Sequence, residues 1–119
     1  MTSYSSLALR IGVLAVTLAM AGAVRAQDGI TVYNAQHASL TQAWADGFTK
    51  ETGIKVTIRK GSDTELANQI VQEGASSPAD VFVTENSPAM VLVEKAGLFA
   101  TLPKDVLEQV PAQFRPASG

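Results

Sequence analysis

Three short apolar segments alternate along the chain with longer segments whose apolar residues recur at every third or fourth position. Residues 30–33 and 79–85 contain runs of β-branched and aromatic residues, which are typical of buried strands. Residues 54–59 alternate apolar and polar side chains, which indicates a strand that has one covered face or lies at a sheet edge. A helical pattern follows each strand. This order predicts an α/β fold whose parallel strands are joined by right-handed crossovers.

The first helical pattern begins with a capping-box spacing, in which Ser39 would cap the helix and Gln42 would bond back to it. The helix would end at Gly53. One apolar stripe follows the cap and consists of Leu40, Ala43, Trp44, Gly47 and Phe48. We expect Trp44 and Phe48 to pack in the core rather than to stack on a ligand.

The second helical pattern repeats the capping-box spacing at Ser62 and Glu65, and Gly74 would end it. Its buried stripe would consist of Leu66, Ala67 and Ile70.

A third helix is predicted over residues 90–96, closed by Gly97. It would follow the pair Ser87-Pro88, with serine as the cap and proline at the first helical position. A last short helical pattern covers residues 103–110, and no periodicity continues beyond Pro111.

The amino-terminal stretch has the pattern of an export signal. Arg10 supplies a positive charge, residues 11–24 form an apolar core, and Val24-Arg25-Ala26 place small residues where a signal peptidase cleaves. We predict a signal peptide over residues 1–26, the alternative being a permanent amino-terminal anchor helix. Cysteine is absent, which excludes disulfides, thiolate metal sites and a lipid-modified cysteine after the signal. An exported chain of this kind fits the periplasm.

The part that follows the predicted signal is small and acidic. It has 93 residues (119 minus 26), with seven Lys and Arg residues against eleven Asp and Glu residues. Its only basic cluster is Arg59-Lys60, so nucleic-acid binding has no electrostatic support. It contains neither a phosphate-binding glycine loop nor a G-x-S-x-G nucleophile motif. We predict one small domain that is not an enzyme, with His37 and Glu85 as the only pair on which catalysis could rest.

His37 is the only histidine, and it lies in the polar turn between the first strand and the first helix. In open α/β sheets, ligands bind beyond the carboxyl ends of the strands. If the first strand lies between the other two, the turns at His37, Ser62-Asp63 and Thr84-Glu85 share that edge. His37 and Glu85 could then serve as metal ligands, as an acid–base pair or as a simple hydrogen bond. Spacing alone leaves these three possibilities open.

Several strings along the chain are specific enough to compare with known families. They are residues 30–37 (ITVYNAQH), 48–56 (FTKETGIKV), 66–70 (LANQI) with Glu73-Gly74, and 77–85 (SPADVFVTE). In this order they resemble the periplasmic ferric-iron-binding proteins, which are substrate-binding components of ATP-driven iron importers. The Y-N-x-Q-H and S-P-A-D-V-F-x-T-E strings are the most specific. The resemblance implies the three-layer fold, with a parallel sheet, of a periplasmic binding protein lobe.

The resemblance also implies a ferric-ion site in which His37 and Glu85 are two of the ligands. In that family one His, one Glu and two adjacent tyrosines hold the ion, and an exogenous synergistic anion or water completes its shell. Asn86 falls where family members carry a polar residue near the anion. The tyrosine pair has no counterpart, because the only tyrosines are Tyr4 in the predicted signal and Tyr33 on the first strand. We do not expect Tyr33 to reach the ion.

The resemblance further implies that the chain is a fragment. Residues 27–110 would be the amino-terminal part of lobe 1, and residues 111–119 an interrupted linker. The intact protein would be a monomer that delivers ferric iron to an ABC permease of the inner membrane. We expect the chain alone to bind iron weakly, since two phenolates and a closing second lobe are missing. The alternatives are a same-fold binding protein for a polyamine or an anion, an enzyme fragment that uses His37 as a base, and an inactive remnant.

Overall fold

A parallel sheet with helices on both faces forms the described part of the chain, residues 29–116 of a computed structural model. The strands are β1 (Ile30–Asn34), β2 (Val56–Lys60) and β3 (Val81–Val83). The helices are α1 (Ala38–Thr52), α2 (Asp63–Glu73), α3 (Ser87–Lys95) and α4 (Lys104–Glu108), with 3₁₀ turns at Gly74–Ser76 and Ala112–Phe114. The predicted signal peptide lies outside the described residues. No helix among the described residues is both long and apolar enough to cross a membrane.

The strand order is β2-β1-β3, and both neighbouring pairs are parallel. Side chains alternate between the two faces of β1, so Tyr33 and Val32 point to opposite sides of the sheet. Tyr33 lies with α2 and α3 in the core, whereas Val32 lies on the side of α1. The buried core cluster consists of Tyr33, Leu66, Ala67, Ile70, Ala89 and Val93. The predicted α/β architecture, its parallel strands and the buried stripe of α2 are therefore confirmed.

The amino terminus of α2 is formed as the sequence predicts. The Ser62 hydroxyl accepts a hydrogen bond from the backbone N–H of Glu65 at 3.3 Å, and the Glu65 carboxylate accepts one from the Ser62 N–H at 3.4 Å. Gly61 precedes this cap, where an added Cβ would lie 2.8 Å from Cγ of Leu66. A side chain at position 61 would therefore push α2 away from the sheet.

The predicted cap of α1 is wrong. The helix begins at Ala38, with His37 at the N-cap position and no side-chain hydrogen bond there. Ser39 consequently lies inside the helix, and the Gln42 side chain donates to Asp46 at 2.8 Å instead of bonding back to a cap. The physical reason is a turn at the end of β1, described below, which brings the chain into helical geometry earlier.

The predicted buried face of α1 is also wrong, because the buried residues lie one position further along the chain than predicted. Thr41 and Ala45 are the buried residues of the helix. Trp44 is 56% exposed and Phe48 is 37% exposed. Both line a groove of about 230 Å³ on this side of the sheet, together with Ile30, Val32, Thr41, Ala45, Val56, Val81 and Val83. They face the sheet across this open groove and are not enclosed within the core.

The third strand is shorter and more exposed than predicted. Only residues 81–83 pair with β1, and Val81 is 44% exposed because β3 is an edge strand among the described residues. The start of α3 is shifted by one residue, since Asn86 occupies the N-cap position and Ser87 is the first helical residue. The alternation of β2 is confirmed as that of an edge strand.

Candidate metal centre

The turns that follow the three strands meet at one edge of the sheet. The carboxyl ends of parallel strands share an edge, and β1 lies between the other two. Backbone hydrogen bonds hold the turns together at this edge. The N–H of Ala35 donates to the carbonyl of Val83 at 2.8 Å, and the N–H of Gly61 donates to the carbonyl of Asn34 at 3.2 Å. The predicted juxtaposition of the three turns is therefore present.

His37 and Glu85 are in direct contact at this edge. Nδ1 of His37 lies 3.0 Å from Oε1 of Glu85. The side chains are 77% and 41% exposed, so a ligand from solvent can reach both. An ion pair this exposed contributes little to folding, typically less than about 1 kcal/mol. The contact is therefore not explained by a need for stability.

The surroundings of His37 determine which ring nitrogen carries a proton in the neutral imidazole. Nδ1 lies 2.6 Å from Oε1 of Gln36, and this same oxygen accepts the backbone N–H of His37 at 2.7 Å. Both neighbours of Nδ1, Gln36 and Glu85, thus present acceptor oxygens, and Nδ1 must be the donor. Within residues 29–116 Nε2 has no hydrogen-bond partner. Its lone pair is available to a metal ion.

Asn34 shapes the turn that carries His37, a role that our sequence analysis missed. Asn34 is 2% exposed, and its side-chain oxygen accepts from the N–H of Gln36 at 3.0 Å and from the hydroxyl of Thr41 at 2.8 Å. Its side-chain amide donates to the carbonyl of Gln36 at 2.9 Å. This is an Asx turn locked onto the first turn of α1. An asparagine at the carboxyl end of a strand is the signal that could have identified it.

Asp63, the first residue of α2, contacts the turn that carries Glu85. One carboxylate oxygen accepts from the hydroxyl of Thr84 and from the N–H of Glu85, the latter at 3.2 Å. The other oxygen accepts from the side-chain amide of Asn86 at 2.9 Å. Hydrogen bonds from Thr84 and Asn86 hold the pKa of the Asp63 carboxyl below its usual value, against a smaller opposing effect of desolvation.

Asn86, predicted as an anion contact, lies at the same edge in the turn beside Glu85. Its side-chain amide donates to Asp63, and its backbone N–H donates to the Thr84 hydroxyl at 3.2 Å. The residue is exposed, so an anion that approached the edge could still reach it. Its role toward an anion remains a prediction.

Tyr33 belongs to a separate polar cluster beneath the sheet. The residue is 1% exposed, and its hydroxyl bonds to Glu73 in α2. Burial, followed by the hydrogen bond to Glu73, raises the pKa of its phenol. A buried phenol that keeps its proton is a poor metal ligand.

The edge thus offers two donors of different hardness, an imidazole nitrogen and a carboxylate oxygen. No group of three or more His, Cys, Asp or Glu side chains that could hold a metal occurs among the described residues. Imidazole binds iron, zinc and copper, and carboxylate favours harder ions. Two such ligands can start a coordination shell, and other donors must complete it.

Residues 34–118 match the family described as bacterial extracellular solute-binding protein. The chain therefore belongs to this family, whose members bind a solute outside the cytoplasm.

Within the family, the chain is similar to proteins named for ferric iron. It is 63% identical over 99 residues to the Fe(3+)-binding periplasmic protein of Serratia marcescens, covering 83% of this chain and 29% of that protein. It is 41% identical over 100 residues to the major ferric iron-binding protein of Neisseria gonorrhoeae, covering 84% of this chain and 30% of that protein. The resemblance to periplasmic ferric-iron-binding proteins is confirmed.

Solved structures show the same likeness in three dimensions. The fold matches iron-bound HitA from Pseudomonas aeruginosa with a TM-score of 0.74 and 46% identity, covering 76% of this chain and 30% of that one. It matches the Trichodesmium protein IdiA (FutA), in complex with iron and citrate, with a TM-score of 0.69 and 35% identity. This match covers 76% of this chain and 29% of that one. The predicted fold class is confirmed. The chain spans about 30% of the length of the curated relatives it matches, and these relatives are binding proteins rather than enzymes by name.

Proposed function

We propose that this chain is part of the periplasmic substrate-binding component of an ABC importer for ferric iron, and that His37 and Glu85 are two of the iron ligands. The observation that carries the proposal is the 3.0 Å contact of these side chains at the carboxyl edge of the sheet. It is supported by the family membership and by relatives named for ferric iron.

The hydrogen bonds of His37 suit a metal ligand. A histidine that ligates a metal almost always donates its other ring N–H to a carboxylate or carbonyl oxygen, which fixes the ring. Gln36 provides such an oxygen at Nδ1, 2.6 Å away, and this leaves Nε2 for the ion. Glu85 would then turn its carboxylate from Nδ1 toward the metal. The exposure of both side chains permits this movement.

Ferric iron also needs hard anionic oxygens, which two side chains alone do not supply. His37 and Glu85 occupy two positions of an octahedral shell, so donors from outside residues 29–116 must fill the rest. An exogenous anion is one such donor, and the relative in complex with iron and citrate favours a carboxylate anion. Asn86 stands beside Glu85 and is the residue that we assign to the anion.

The remaining parts of the proposal concern transport. The chain would be exported through a signal peptide over residues 1–26, act in the periplasm as a monomer without catalytic activity, and deliver ferric iron to an inner-membrane ABC permease as part of the intact protein. The periplasmic names of the relatives support this location.

Metal titration of single variants tests the assignment of the ligands. Iron would be supplied to the purified chain as a ferric–nitrilotriacetate chelate, which prevents hydrolysis and leaves room for protein donors. We expect weak binding by the parent chain. His37→Ala and Glu85→Gln should each weaken it by about tenfold or more, equivalent to about 1.4 kcal/mol.

Glu51→Gln is the matched control, because Glu51 is an exposed carboxylate at the far end of α1. It should leave iron affinity unchanged. Equal losses in all three variants would indicate a nonspecific effect and would count against the assignment. Unchanged affinity in the His37 and Glu85 variants would refute it. Titration with spermidine or phosphate in place of iron would test the other ligand classes.

A further inference from the structure

We infer that Asp63 is a positioning residue of this site: it holds the turn of residues 84–86 so that the carboxylate of Glu85 faces His37, and it does not itself bind the ion. The effect of Asp63 on iron affinity rests on the proposed function. Its effect on the conformation of residues 84–86 is independent of that proposal.

The hydrogen bonds of Asp63 engage every residue of that turn. β3 ends at Val83 and α3 begins at Ser87, so residues 84–86 are the whole connection between them. The Thr84 hydroxyl and the Glu85 N–H both donate to Oδ1 of Asp63, and the Asn86 side-chain amide donates to Oδ2.

The start of α2, which carries Asp63, is held firmly in the fold. Asp63 is the first residue of α2, whose start is fixed by the capping box of Ser62 and Glu65. One turn further along, Leu66 and Ala67 are fully buried in the core. Asp63 therefore connects the packed core of the domain to an exposed turn that has little packing of its own.

Glu85 depends on this connection. Its side chain is 41% exposed, and its contact in the described structure is the one with His37. Glu85 is an exposed residue whose backbone N–H donates to Asp63, so the orientation of the carboxylate follows that of the turn. Without Asp63, the turn would keep only its local bonds, in which the Thr84 hydroxyl accepts from the Asn86 N–H at 3.2 Å and lies 3.1 Å from the Asn86 carbonyl. These bonds do not connect the turn to α2, so the turn would sample other positions relative to the core.

Two other roles for Asp63 fit the structure less well. An acidic residue in the first turn of a helix interacts favourably with the helix dipole, but the dipole does not account for three hydrogen bonds to a different loop. A role as a third iron ligand would require Asp63 to give up bonds to Thr84, Glu85 and Asn86, since both of its oxygens are engaged.

Amide hydrogen exchange and iron titration of the full chain test the inference, with three variants. Asp63→Ala removes all three bonds. Asp63→Asn keeps an acceptor oxygen for Thr84 and Glu85 but replaces the one that accepts from Asn86. Glu65→Gln is the matched control, because it removes a carboxylate from the same first turn of α2 without touching the loop.

We expect Asp63→Ala to accelerate exchange of the Glu85 amide and to weaken iron binding about ten- to a hundredfold, the usual effect of removing a group that orients a metal ligand. Asp63→Asn should cause a smaller increase in Glu85 exchange and a smaller loss of iron affinity than Asp63→Ala. Glu65→Gln should change neither by more than about twofold, because the glutamine side-chain oxygen can still accept the hydrogen bond of the Ser62 N–H and keep the cap. Loss of iron affinity that follows only the loss of stability, equal in the Asp63 and Glu65 variants, would overturn the inference.

Thr84→Val supplies an independent test if Asp63→Ala does not fold, because it removes the Thr84 bond to Asp63 from the loop side and leaves α2 intact. It also removes the local bonds between Thr84 and Asn86. It should also accelerate exchange at Glu85, and unchanged exchange would overturn the inference. Suppose that the Asp63 variants exchange faster but iron affinity is unchanged in every variant, including His37→Ala and Glu85→Gln. This result would refute the iron proposal and support the positioning role. If iron binding is weaker in His37→Ala and Glu85→Gln but unchanged in the Asp63 variants, the positioning role is refuted.

Discussion

The hydroxyl of Tyr33 donates a hydrogen bond to the carboxylate of Glu73, with an oxygen–oxygen distance of 3.0 Å. Gln69 donates to the same hydroxyl at 3.2 Å, and the guanidinium of Arg59 lies 5.4 Å from the centre of the ring. The phenol thus joins β1 to α2 through the interior of the domain. Its partners differ entirely from those of His37, and this separation determines what the tyrosine can contribute.

Iron bound by residues 29–116, in which Tyr33 is the only tyrosine, should therefore show no phenolate colour. A ferric ion coordinated by tyrosinate absorbs visible light by charge transfer, and Tyr33 is buried with its proton engaged. Tyr33→Phe should leave iron affinity unchanged and lower the free energy of unfolding by about 1–3 kcal/mol, because Glu73 and Gln69 lose a partner. Absorption spectra during titration and urea denaturation measure the two effects. A visible band that disappears in Tyr33→Phe would contradict this prediction.

Glu73 should make the stability of the domain sensitive to acid. A hydrogen bond from Ser77, and then those from Gln69 and Tyr33, lower the pKa of this carboxyl below its ordinary value of 4.5. A lowered pKa in the folded state stabilises the fold above pH 4.5, and this stabilisation is lost as the pH falls through the lower folded value. Glu73→Gln should be less stable at pH 7 and show a flatter decline as the pH falls below 4.5. Urea midpoints across this range provide the measurement, and an unchanged slope would count against the assignment.

His37 and Glu85 should matter little for folding in the absence of iron. Their contact is exposed at 77% and 41%, and exposed pairs contribute about 0–1 kcal/mol. His37→Ala and Glu85→Gln should therefore unfold at urea midpoints close to that of the parent chain. A double-mutant cycle measures their coupling directly. A coupling well above 1 kcal/mol would mean that the pair is structural, and a loss of iron affinity could then no longer be assigned to a lost ligand.

Replacing Leu66 should destabilise the domain strongly and replacing Trp44 hardly at all, although both lie on predicted apolar stripes. Trp44 is 56% exposed beside the open groove, whereas Leu66 is fully buried in the core. Leu66→Ala should cost about 2–5 kcal/mol of unfolding free energy. Trp44→Gln should change it by no more than about 0.5 kcal/mol, the range typical of surface positions. Tryptophan fluorescence of the parent chain should be readily quenched by acrylamide, and a shielded emission would show that something covers the groove.

Much of the fold could be predicted from short-range patterns. The start, end and buried stripe of α2 were all correct, because Ser62, Glu65 and Gly74 act on backbone groups within four positions of themselves. The same kind of signal failed for α1. Ser39 and Gln42 have a capping-box spacing, but the side chain of Asn34 bonds to Thr41 and starts the helix one residue before Ser39. A contact from the preceding strand outweighed the local pattern.

The type and order of the elements follow from the sequence, since alternation, caps and glycines act through backbone geometry over a few residues. The strings that resemble ferric-iron-binding proteins also identified His37 and Glu85 as candidate metal ligands. The contact between these two side chains is a property of the folded domain and could not be read from the sequence. Their meeting depends on β1 lying between β2 and β3 and on Asp63 holding the turn from a neighbouring helix. Strand order is set by packing summed over the whole domain, and no local pattern encodes it.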